Sequence, residues 1–112
     1  MAQPDDSALP GAHGITIAQF QGLIRDRYCP TDAARGTPGT FMWFIEEVGE
    51  LATALQANGP GMTPTATEKA NLEEEFADVL AWLMTLANIN GVDVERSLGK
   101  YTREGGVEGV KD

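Results

Sequence analysis

Cysteine, histidine, positive charge and long apolar runs are all scarce in this chain, and each scarcity excludes something. The single cysteine, Cys29, cannot close an internal disulfide, which fits a reducing compartment. With His13 the only histidine, and placed in a polar N-terminal stretch, Cys29 has no obvious base and reads as a semi-buried residue near a helix end. The same shortage removes the nitrogen and sulfur ligands that a zinc site needs. Eight Lys and Arg against seventeen Asp and Glu leave a net charge of −9, which argues against a bare nucleic-acid backbone or an anionic membrane as partner. No stretch approaches the roughly 18 apolar residues needed to cross a bilayer, and the N-terminus lacks the basic and apolar regions of a secretory signal. A cytoplasmic location is the expectation. Strand-like alternation and internal repeats are missing too.

What is present is ordinary globular material: 112 residues, 42% apolar and 22% charged, enough for one domain with a core. Residues 1–14, rich in proline, glycine and aspartate, have little to bury and read as a disordered tail. Thr16 is a candidate N-cap, and Ile17, Phe20, Leu23, Ile24 and Tyr28 recur at helical spacing until Pro30 should end the helix. Pro30–Thr40, with two prolines, two glycines, Thr31, Asp32 and Arg35, reads as a connecting loop. Arg35 is its one cation, either solvated or leaning over a neighbouring acidic site to meet a phosphate. Thr40 then caps a second helix, Phe41–Gln56, with Phe41, Phe44, Ile45, Val48, Leu51, Ala52 and Leu55 on its apolar face. Asn58–Thr67 is a second loop. A third helix, Asn71–Asn90, follows, with Leu72, Phe76, Val79, Leu80, Leu83, Leu86 and Ala87 sharing a face and Gly91 stopping it. Asp93 or a neighbour caps a short last helix, Val94–Tyr101, and residues 104–112 should fray. The pattern predicts an all-α, four-helix bundle-like domain over residues 15–103.

Four carboxylates in that pattern carry chemistry: Glu47-x-x-Glu50 on the second helix and Glu75-x-x-Asp78 on the third. At about 100° per residue each pair lies at the margin of its apolar face, so antiparallel packing brings four anions together. Unscreened, they would repel one another. Oxygen-only ligation on helices, without the glycine-centred loop of a calcium site or the Glu-x-x-His pairs of di-iron bundles, points to Mg²⁺, with Mn²⁺ able to substitute. Glu46 lies farther round and suits positioning of water. Glu73 and Glu74 read as solvated. Mg²⁺ commonly binds substrates through phosphate oxygens, so the set suits hydrolysis of a nucleotide polyphosphate. Trp43 and Trp82 are core candidates that could instead stack on a base.

Glu46-Glu47-Val48-Gly49-Glu50-Leu51-Ala52, followed after 24 residues from Glu50 by Glu75-Phe76-Ala77-Asp78-Val79-Leu80, is similar to the paired motif of the MazG-like nucleoside triphosphate pyrophosphohydrolases. The similarity runs from about Ile17 to Tyr101. It implies the all-α NTP pyrophosphatase fold, Mg²⁺ dependence, cleavage of an NTP or dNTP between the α and β phosphates, and a homo-oligomer, dimer or tetramer. Glu47, Glu50, Glu75 and Asp78 match the family's metal ligands, Glu46 its additional acid, and Lys100 a basic position that meets the triphosphate. After Lys100 the chain reads Thr102-Arg103-Glu104-Gly105-Gly106, without the further Asn and Arg residues common in the family. That departure keeps a second class in view: a non-catalytic helical module that binds metal or nucleotide without turnover.

Overall fold

A computed structural model describes residues 13–103, and every regular element among them is a helix. Apart from His13 and Gly14, both exposed, the tails expected over residues 1–14 and 104–112 lie outside the described residues. The elements are α1 (Ile17–Ala57), α2 (Ala66–Ile89), α3 (Val94–Ser97) and α4 (Gly99–Thr102). The domain is all-α; the expected helical stretches are helical, except that the last, Val94–Tyr101, is broken at Leu98 into α3 and α4.

Thr16 caps α1 as expected, in a reciprocal box: the Gln19 N–H donates to Thr16 Oγ1 (3.0 Å) and the Thr16 N–H donates to Gln19 Oε1 (2.8 Å). The loop expected over Pro30–Thr40 is the main departure. Helix runs through Pro30 and Asp32, and the chain is non-helical only at Gly36 (φ 72°, ψ 179°), a conformation open essentially to glycine alone. Cys29 therefore sits inside a helix, and it is exposed. Pro38 falls in the first turn after the break, where its missing N–H costs little. Thr40, expected as an N-cap, is instead fully buried and accepts a hydrogen bond from Arg35 Nε at 2.9 Å.

The break gives α1 two arms, residues 17–35 and 37–57. Arg35 fastens them, bonding Asp32 Oδ1 (2.6 Å) on the first arm and Thr40 on the second. Gly39 makes room for it: a Cβ there would stand 2.8 Å from Arg35 Cγ.

α2 begins one turn earlier than its apolar period suggests. Its N-cap is Thr65, inside the stretch expected as a loop, boxed with Glu68 (3.1 and 2.9 Å). Asn58, at the end of the second arm, donates to Glu68 O near the start of α2 (3.3 Å), while Asn90, at the end of α2, donates to Thr37 (3.2 Å). The second arm and α2 are thus antiparallel. The first arm is fixed by Gln21, whose amide donates to Asn88 Oδ1 (3.0 Å) and Val92 O (2.7 Å) and accepts from the Val94 N–H (3.0 Å). Asp93 caps α3 as expected.

Little of the apolar surface is enclosed. Ile24, Ala54, Met84 and Ala87 form the buried core, whereas Phe41, Ile45, Val48 and Leu55 on α1 and Phe76, Leu80 and Leu83 on α2 are exposed. The faces expected to make the core of one chain are largely open.

Candidate metal centre

Antiparallel packing of the second arm against α2 sets two acidic turns side by side. One carboxylate oxygen each from Glu47, Glu75 and Asp78 lies within 4.8 Å of the others. Glu47 is half-buried, Glu75 only 9% exposed, and Asp78 open to solvent. Glu50 is exposed and adjoins both glutamates, close enough to hydrogen-bond to either when one carboxyl is protonated. It stands at the rim of the three-residue group. Glu46, Glu73 and Glu74 are exposed and outside that group.

The electrostatics are those of carboxylates crowded together in a partly buried site. Burial, then the charges of Glu50 and Asp78, push the Glu47 carboxyl up to about 7. Burial followed by the same two neighbours raises Glu75. Glu47 Oε2 and Glu75 Oε2 are buried without any hydrogen-bond partner, which is costly for oxygens of this kind. Unpartnered oxygens from three carboxylates, with no nitrogen or sulfur donor among them, fit a hard divalent cation.

The flanking turns are aromatic. Trp43, one turn before Glu47, stacks on Trp82, one turn after Asp78, with ring centroids 6.3 Å apart and planes 15° from parallel. Arg35 lies over Trp82, its Cζ 4.9 Å from the ring centroid. It is neither a loop residue nor a free cation, because its guanidinium is paired with buried Asp32. Lys100 is exposed on α4, with Nζ 5.8 Å over the Tyr101 ring. A cavity of about 300 Å³ opens between the first arm and α2, bordered by Tyr28, Asp32, Arg35, Asp78, Trp82 and Thr85. Asp78 therefore belongs both to the acidic group and to this cavity.

Asp32 and Thr40 escape a sequence reading that takes Pro30–Thr40 for a loop. The available signal is Asp32-x-x-Arg35, an acid and a base at helical spacing.

The fold and site define a class: an all-α domain with an oxygen-only acidic cluster beside an aromatic-walled cavity. Within it the assignment is direct: residues 37–103, more than half the chain, match the family model described as the MazG nucleotide pyrophosphohydrolase domain, and the protein belongs to that family. A comparison with curated proteins finds none that matches. Among the described residues, no helix is long and apolar enough to cross a membrane.

Proposed function

We propose that the protein hydrolyses nucleoside triphosphates, NTP or dNTP, between the α and β phosphates, releasing a nucleoside monophosphate and pyrophosphate. Mg²⁺, or Mn²⁺ in its place, would be held by Glu47, Glu50, Glu75 and Asp78. The observation that carries this reading is the meeting of Glu47, Glu75 and Asp78 oxygens within 4.8 Å, two of these residues each keeping a buried oxygen without a partner. A cation held by these residues would supply positive charge for the polyphosphate and would acidify a water for in-line displacement at phosphorus.

The chain's own groups do the rest. Glu47, whose carboxylate joins the cluster beside Glu46, is suited to take the proton of the attacking water. Glu46, the adjacent exposed acid, orients that water. Lys100, on an exposed turn, reaches toward the triphosphate. The nucleoside lies in the cavity that shares Asp78, against Arg35 and the Trp43–Trp82 pair. A second copy of the chain, in a dimer or tetramer, covers the open apolar faces. Nucleotide-pool housecleaning in the cytoplasm is the role that fits such chemistry. The competing reading, a binder without turnover, draws support from Arg35, whose charge is committed to Asp32.

Pyrophosphate release from each NTP and dNTP in Mg²⁺ tests the proposal. Wild-type protein should release it, and the Glu50→Gln, Asp78→Asn double variant should not. Glu75→Gln alone should lower the rate by at least about 100-fold, the upper end for groups that merely support metal ligands. Wild-type release no higher than that of the double variant would leave the binder reading standing.

A further inference from the structure

Asp32 is the buried charged residue that the carboxylate chemistry leaves unexplained. It is 5% exposed, its Oδ1 is held by Arg35 at 2.6 Å, and its Oδ2 is buried with no partner at all. It lies upstream of the residues that match the family. It borders the cavity of about 300 Å³ that also contains Asp78 and Trp82. It also borders a recess beside Cys29 and Ile89, but no acid of the cluster reaches that side. A nucleotide with its phosphates at the acidic cluster would enter the cavity past Asp78.

An ionised carboxylate only accepts hydrogen bonds, so what satisfies Oδ2 must be a donor. The cavity that Asp32 borders is walled by Ile24, Tyr28 and Trp82, which suit a flat ring better than a hydroxyl-rich sugar, and a donor must press past this wall to reach the buried Oδ2. An exocyclic amino group projects beyond its ring and can enter a recess, whereas the ring N–H of uracil or thymine is flanked by two carbonyl oxygens that would crowd a carboxylate. Arg35, spanning Asp32 and Thr40, fixes the orientation of the acceptor. We propose that Asp32 is a specificity-determining residue whose free Oδ2 accepts a hydrogen bond from an amino group on the nucleobase, so that amino-bearing nucleotides are favoured. The inference rests on the acidic cluster being the phosphate end of the site.

Deleting the amino group from the ligand tests this without disturbing the fold. Binding to the full chain in Mg²⁺ is measured by calorimetry and tryptophan fluorescence for two pairs: CMP with the pyrimidin-2-one riboside monophosphate, and AMP with the purine riboside monophosphate. At least one amino-bearing member should bind about 10- to 100-fold tighter than its partner, the scale of a hydrogen bond to a charged group. Asp32→Asn, which keeps a carbonyl oxygen for Arg35, and Asp32→Ala should both erase that ratio. Equal binding within both pairs, no binding of any of the four, or a ratio that survives in both variants overturns the inference. So does a ratio that instead follows the 2′-hydroxyl when CMP is compared with dCMP. Failure of the catalytic reading is seen separately, as absence of pyrophosphate release by wild-type protein, and leaves the monophosphate ratios free to decide.

Discussion

Glu47 shows what one residue contributes to the whole site. Its carboxyl is pushed up to about 7 by burial and then by Glu50 and Asp78, against an ordinary value near 4.5, and Glu75 moves in the same direction. Because the folded chain holds these protons more tightly than the unfolded chain, their contribution to stability is complete below about pH 4.5 and is lost as pH rises through 7. Metal-free protein in EDTA should therefore melt at progressively lower temperature across that window, and Glu47→Gln should flatten the decline. A divalent cation competes with the same protons, so the rise in melting temperature produced by Mg²⁺ should grow between pH 5.5 and 8. A decline that is as steep in Glu47→Gln, or a Mg²⁺ increment independent of pH, would count against a shared site. At this scale the sequence was informative. Two acid pairs at the margins of apolar stripes are a helical-period fact, and Glu47, Glu75 and Asp78 do converge. The wheel has no information about depth, however: it puts Glu50 and Glu75 in equivalent positions, yet Glu75 is buried and Glu50 exposed.

Among the elements, α1 departs most from local rules. Pro30 forfeits a backbone bond and strains the preceding turn, an effect worth about 3 kcal/mol in a helix interior, so ending the helix there is what local physics recommends. Tertiary contacts reverse the preference. Continuing the helix to Arg35 places Asp32 and Arg35 beside Thr40, with Arg35 over the ring of Trp82, the one member of this cluster that comes from far along the chain. The turn that the sequence demands is then compressed into one residue, Gly36, at φ 72° and ψ 179°. An added Cβ there meets nothing closer than Pro38 Cδ at 3.9 Å, so the penalty for a side chain is one of backbone conformation alone. Gly36→Ala should cost about 1–3 kcal/mol, read from urea unfolding, with an unchanged dependence on denaturant concentration. An unaffected midpoint would mean that the chain reaches the same fold through another backbone path. The capping boxes at Thr16 and Thr65 are local, and Thr16 was legible for that reason. Thr65 was hidden because the apolar period of α2 starts a turn or more after its cap.

For the whole molecule, the open question raised by the fold is what covers its apolar faces. Phe41, Ile45, Val48 and Leu55 recur on the second arm, and Phe76, Leu80 and Leu83 on α2, at the three- and four-residue steps of a single helix face. Ile45 is 49% exposed and Phe76 56%, values far from those of a core. Such stripes mark surface that favours burial, yet this chain leaves them exposed, because periodicity carries no information on whether the covering surface lies in the same chain or another. Here the first arm meets α2 on the side of Thr85 and Asn88, leaving both stripes uncovered. A second copy presenting the same two helices would complete a four-helix arrangement, with packing like that of bundle interiors. Light scattering should give at least twice the chain mass of 12.0 kDa, and the melting temperature should rise with protein concentration. Ile45→Asp or Leu80→Asp would set a charge in the interface without touching an acid of the cluster, and should weaken association by at least about 100-fold, the scale of an unpaired buried charge. If wild-type protein scatters as a single chain and melts at one temperature whatever its concentration, the stripes are covered by something other than a copy of this chain.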